Sequence, residues 1–125
     1  MGRILQCQVA AETDYLDTIL GFEPVAIGDL ILTEVLQGFR NDTDYRKAKA
    51  LLTSLSLHEM LGVKLAIRAA DNYRLLRRRG IIIRKTADVI IATYCIEHRL
   101  QLLYSDRDFD PCVKYLKLQP ALRSA

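Results

Sequence analysis

The side chains best suited to chemistry are three carboxylates spread along the chain, Glu34, Asp88 and Asp106, with Asp108 close behind the last. Glu34 stands in Leu30-Ile31-Leu32-Thr33-Glu34-Val35-Leu36, a segment apolar almost all round. Removing an ionised carboxylate from water is costly unless something compensates it. Two readings stay open: Glu34 lies on one solvent-facing stripe or pairs with an arginine, or it faces a site. Asp88 falls in the first turn of a helix that Thr86 can cap, where the helix dipole favours a carboxylate. Val89-Ile90-Ile91-Ala92 follows at once, so that turn starts close to the core and aims its acid at the sheet end. Asp106 and Asp108 lie in Tyr104-Ser105-Asp106-Arg107-Asp108-Phe109-Asp110, directly after the apolar strand residues Leu102-Leu103. In open α/β sheets ligands bind just beyond the carboxyl ends of strands. A polar turn capped into the next helix explains Asp110, but not Asp106 and Asp108 as well.

Carboxylates brought together from three elements repel one another unless a cation joins them. Hard cations such as Mg²⁺ and Mn²⁺ take oxygen ligands, and one or two carboxylates plus waters suffice. A metal so held generates hydroxide at neutral pH and stabilises charge developing on a phosphate. The two histidines, His58 and His98, lie far in sequence from these acids, which disfavours a histidine-based mechanism. A basic run, Arg74, Arg77, Arg78, Arg79, Arg84 and Lys85, precedes Asp88. Its ordinary explanation is a solvated helix C-terminus that complements the dipole. The alternative is contact with RNA phosphates through Arg77, Arg84 and Lys85.

These residues need a scaffold, and the chain alternates helical and strand-like patterns. Leu16, Ile19 and Leu20 predict a helix over Glu12–Leu20, and Val25-Ala26-Ile27 after Pro24 a buried strand. Asp29 is the expected cap of a helix over Leu30–Phe39 that ends at Arg40-Asn41-Asp42. The next helix runs from about Thr43 to Leu55, with Ala48, Leu51, Leu52 and Leu55 as its stripe; Leu57–Leu61 is a short extended piece or neither. A long amphipathic helix spans Gly62–Arg79, with Leu65, Ala66, Ala69, Tyr73 and Leu76 on one side and Gly80 as its C-terminal cap. Thr86 caps a helix from Ala87 to His98 that turns Ile90, Ile91, Tyr94 and Cys95 to the core. A strand follows over Gln101–Ser105, then a helix capped by Asp110 with Pro111 at its start, and a closing strand near Leu118. The pattern is that of an α/β sandwich around a parallel sheet.

At 125 residues the chain forms one domain, 1–125. Half its residues are hydrophobic and 26% are charged, the balance of an ordinary globular protein. No apolar run reaches the roughly 18 residues of a membrane span, and no secretion signal is read at the N-terminus. Cys7, Cys95 and Cys112 are odd in number and lack CxxC spacing, which points to reduced thiols and a cytoplasmic location. A net charge of +3 is compatible with a nucleic-acid substrate without arguing for one.

Three segments together carry a resemblance. Leu32-Thr33-Glu34-Val35-Leu36-Gln37-Gly38-Phe39, Gly80-Ile81-Ile82-Ile83-Arg84-Lys85-Thr86-Ala87-Asp88 and Ser105-Asp106-Arg107-Asp108-Phe109-Asp110 resemble the successive motifs of VapC toxins of the PIN-domain ribonuclease family. They occur in the family's order, with similarity from about Glu12 to the end. The resemblance implies a PIN-like three-layer α/β/α sandwich around a short parallel sheet. It also implies Mg²⁺- or Mn²⁺-dependent endoribonuclease activity in a type II toxin–antitoxin system, inhibition by a cognate VapB-type antitoxin, and a homodimer. Glu34, Asp88 and Asp106 match the family's second, third and fourth acidic positions, with Asp108 auxiliary. The departure is at the start: such proteins open with an apolar strand leading into an Asp-Thr/Ser-Ser type motif, whereas Met1–Ala10 contains no acidic residue. The first strand and helix are therefore expected to be missing or altered, unless Ile4–Val9 substitutes, and the nuclease to be weak or inactive. The competing readings are a non-catalytic remnant that binds antitoxin or toxin subunits, and a receiver-like phosphoacceptor domain. The second is disfavoured because the early acidic pair of such domains is missing.

Overall fold

The computed structural model describes residues 4–6, 25–104 and 107–121. Five short segments form one sheet of parallel strands: β1 (Ile4–Gln6), β2 (Val25–Gly28), β3 (Ser56–His58), β4 (Gln101–Leu103) and β5 (Gln119–Pro120). They are ordered β3-β2-β1-β4-β5. The central place belongs to β1, whose residues Ile4–Gln6 pair with Val25–Ile27 on one side and Gln101–Leu103 on the other. The first strand is thus present in altered form, and the ladders of β2 and β4 are closed rather than exposed. The expected helix over Glu12–Leu20 lies outside the described residues.

Parallel strands need crossovers, and helices supply them. After β2 come α1 (Asp29–Gln37) and α2 (Asp42–Thr53); after β3, α3 (Val63–Arg78) and α4 (Thr86–His98); between β4 and β5, a 3₁₀ turn (Arg107–Phe109) and α5 (Asp110–Leu116). Three expected caps are corrected. Asp29, Thr86 and Asp110 are each the first residue inside their helix, and the residues before them, Gly28, Lys85 and Phe109, make no side-chain cap. Among the described residues the side chain that does cap is Asn41, which accepts from the N–H groups of Thr43 and Asp44 at 2.7 and 3.2 Å. Asp29 instead accepts from Leu30 N–H at 2.8 Å and Met60 N–H at 3.1 Å, tying the start of α1 to the chain beyond β3. Met60 in turn lies over Gly28, where any β-carbon would collide with the methionine side chain.

Helix α3 buries Leu65, Ala69 and Leu76 and half-buries Tyr73, as its spacing predicts, but Ala66 is exposed. Its end is fixed by Gly80, at φ +81°. Gly80 N–H donates to Arg77 O at 2.9 Å and Ile81 N–H to Leu76 O at 3.0 Å, the paired bonds of a Schellman turn. Helix α4 is the most enclosed of the described helices: Asp88, Val89, Ile91, Ala92, Thr93, Tyr94 and Cys95 are all buried. Of these, Val89, Ile91, Ala92, Tyr94 and Cys95 pack with Ile27, Leu52, Leu76, Leu102 and Phe109 in one core.

Candidate active site at the start of helix α4

Two contacts set the register between α3 and α4. Asn72 Nδ2 donates to the buried Thr93 hydroxyl at 3.0 Å, and Arg68 pairs with Glu97 at 3.1 Å. The helices are therefore antiparallel neighbours, and five residues beyond the Asn72–Thr93 level Arg77 comes level with Asp88. Arg84 and Lys85 close the connection directly into α4. All three cations are exposed, so those expected to meet RNA stand at the end of α4 that carries the acid. Arg77 lies over the Tyr73 ring, 5.7 Å from its centroid.

Asp88 is 6% exposed, in the first turn of α4. Burial of a carboxylate is costly, and the positive end of the helix dipole offsets part of that cost. Its charge is felt by Cys112 on α5: the Cys112 thiol is pushed up to about 12, mainly by burial and further by Asp88. Cys95, on the core face of α4, is also pushed up to about 12, by burial alone. Both are free and buried, as inert structural thiols should be.

The remaining acids are placed differently. Glu34 is exposed on α1, which agrees with a solvent-facing stripe. Asp108 is half-buried in the 3₁₀ turn that packs against α4. Asp106 lies outside the described residues. Among the described residues no three His, Cys, Asp or Glu side chains come together in a metal-binding group. The donor set is nonetheless one a hard cation accepts: carboxylate oxygens, one of them buried, with both histidines engaged elsewhere.

Those histidines form a cluster that sequence reasoning missed. His58 Nδ1 lies 2.7 Å from the Tyr94 hydroxyl. His98 stacks on the Tyr94 ring at 4.0 Å, and its Nδ1 is 3.0 Å from the Tyr94 carbonyl oxygen. The Tyr94 hydroxyl is held above its ordinary range by burial, then by Cys95 and Asp29. Helical spacing placed Tyr94 and His98 one turn apart, but nothing local linked them to His58 on a strand 36 residues earlier.

A parallel sheet ordered β3-β2-β1-β4-β5, with a buried aspartate opening the helix before β4, defines the class. The chain belongs to the PIN domain family, whose model matches residues 8–111. Within that family it is 30% identical over 100 residues to the VapC ribonuclease Mb1587 of Mycobacterium bovis and to Ribonuclease VapC11 of Mycobacterium tuberculosis. In both cases 78% of this chain and 72% of the relative are covered. Its fold matches a chain of the Rickettsia felis VapBC2 complex, solved bound to a DNA fragment from its promoter, with a TM-score of 0.73 at 17% identity. The match covers 95% of this chain and 97% of the other. A chain of VapBC-1 from nontypeable Haemophilus influenzae matches with a TM-score of 0.70 at 14% identity, over 97% of both chains.

Proposed function

We propose that the chain is a metal-dependent endoribonuclease toxin of a VapBC-type toxin–antitoxin system. The observation that carries this reading is Asp88: a carboxylate buried in the first turn of a helix, at the end where exposed cations gather, in a chain 30% identical to named VapC ribonucleases. Glu34, Asp88 and Asp106 would hold Mg²⁺ or Mn²⁺, with Asp108 in support. A metal held by these carboxylates would lower the pKa of a bound water and offset negative charge developing on the phosphate. The protein's own part is to fix Asp88 by burial on α4 and to hold the RNA backbone with Arg77, Arg84 and Lys85. The proposed partners are RNA, a VapB-type antitoxin and a second copy of the chain, in the cytoplasm. Among the described residues no helix is long and apolar enough to cross a membrane.

A second reading is favoured by one observation: Met1–Ala10 supplies no carboxylate. Misplacement of reacting groups by about 1 Å costs on the order of a hundredfold, so a metal held by fewer acids is a poor catalyst. The chain is then a weak nuclease, or a remnant that binds antitoxin without cleaving. Incubation with a panel of RNAs, with Mg²⁺ or Mn²⁺ and again with EDTA, separates the two. Metal-dependent cleavage supports the enzyme. Absence of cleavage, together with pull-down of the protein encoded by the neighbouring reading frame, supports the remnant. Neither cleavage nor capture contradicts both.

A further inference from the structure

Two cations converge on one aromatic ring close to the proposed site. The Arg79 guanidinium, from the C-terminal end of α3, lies 4.7 Å from the Tyr115 ring centroid, and the Lys114 ammonium lies 5.2 Å from it. Both cations are exposed and the ring is half-buried. Gathering like charges on a surface is unfavourable, and the ion pair found among the described residues, Arg68–Glu97, lies toward the other end of α3. Neither cation has an acidic partner among the described residues, and the two lie over the ring. Together they offer what a nucleotide needs: a ring or a guanidinium plane on which the base stacks, and positive charge for its phosphate. The location fits the site. Helix α5, which carries Lys114 and Tyr115, packs against both α3 and α4, the helix whose first turn holds Asp88.

We infer that Tyr115, with Arg79 and Lys114, binds one unpaired nucleotide of the RNA strand beside the Asp88 site, the base stacking on the ring and the phosphate meeting the two cations. The inference rests on the ribonuclease reading and extends it: the strand is engaged where its bases are unpaired, because a base inside a duplex offers no free face to a tyrosine. Tyr115 is here a binding residue that positions the strand, not a catalytic one.

The test uses the full chain in EDTA, so that binding is read without cleavage, and a fluorescein-labelled single-stranded oligouridylate titrated at several salt concentrations. Tyr115→Leu is expected to weaken binding about tenfold, within the range of one lost base–aromatic stack, with little change in salt dependence. Tyr115→Phe, which keeps the ring, should restore it. Arg79→Ala and Lys114→Ala should each flatten the slope of log affinity against log salt by about 0.7. An abasic oligomer of equal length should bind the unaltered chain about tenfold more weakly, an arm that does not depend on any variant folding. Equal affinity for the abasic and uridine strands, or an unchanged affinity in a folded Tyr115→Leu, overturns the inference while leaving the ribonuclease reading intact if the chain still cleaves RNA. No binding or cleavage of any strand overturns that reading and this one with it. Binding of uridine monophosphate as tight as that of the strand overturns the strand assignment, since the site would then serve a free nucleotide.

Discussion

At the His98 end of α4 the polar groups answer one another. Glu97 pairs with Arg68, and Tyr94 sits between His58 and His98 with contacts to both. At the Asp88 end the same helix presents a buried carboxylate, and the segment leading into it carries Arg74, Arg77, Arg78, Arg79, Arg84 and Lys85 with no acidic residue among them. Since the whole chain carries only +3, everything outside that segment is net negative. One end of α4 is completed from within the molecule. The other gathers charge of one sign on its surface and buries charge of the other, an arrangement that suits an anionic ligand and a cation from outside. The two ends also differ in enclosure: Asp88 is buried, whereas Glu97 and His98 are exposed.

Breaking that contrast should produce its largest effect at Asp88. Asp88→Asn keeps the size of the side chain, and metal-dependent RNA cleavage is expected to fall about a hundredfold or more in a gel assay. The variant should remain folded by circular dichroism, so that the loss reads on the chemistry rather than on the fold. A variant that cleaves normally would take Asp88 out of the chemistry.

The basic approach is next. Arg84→Ala combined with Lys85→Ala should weaken RNA binding about tenfold near physiological salt and lower the salt slope, through two lost phosphate contacts. The same change made to Lys47 and Lys49 on α2 should do much less, and equal losses would show that only overall charge counts.

At the His98 end, Tyr94→Phe removes the hydroxyl from His58. A loss of about 1 kcal/mol is expected in denaturant unfolding, the scale of one hydrogen bond, with RNA affinity unchanged. Lower RNA affinity in the folded variant would dissolve the distinction between the two ends.

The smallest effect concerns the thiols. Cys95 has a folded-state pKa raised from 9.0 to about 12. Below pH 9 the thiol is protonated in both states and its contribution is fully present. As pH rises from 9 toward 12 only the unfolded chain ionises, so stability falls across that window. Unfolding curves between pH 8 and 10.5 should show the decline, and Cys95→Ala should show a shallower one. A parallel decline in the variant would assign it to other groups.

Much of this was legible in the sequence, for reasons that differ from element to element. The stripe of Ala48 and Leu52, the Gly80 turn and the buried run after Asp88 are local patterns, and each falls where spacing put it. The caps were misjudged because Asp29 and Asp110 have alternatives that no local rule contains. Met60 N–H lies 31 residues from Asp29, and the Tyr104 hydroxyl reaches Asp110 at 3.2 Å across the turn. The first strand was doubted because it carries no acid, yet pairing requires only backbone and length. Ile4–Gln6 supplies both. Of the site, Asp88 was read as a first-turn acid followed at once by an apolar run, hence as starting close to the core, and the structure buries it; its role as a metal ligand is a proposal. The approach of Arg79 and Lys114 to Tyr115 depends on how α3 meets α5, which sequence spacing does not encode.

The central claim is that Asp88 helps to hold a divalent cation, and calorimetric titration of Mn²⁺ into the unaltered chain and into Asp88→Asn tests it most directly. The account predicts saturable binding by the unaltered chain and an affinity at least about tenfold lower in the variant, with both proteins folded by circular dichroism. Equal Mn²⁺ affinity in the two proteins, or no binding by the unaltered chain, would contradict it.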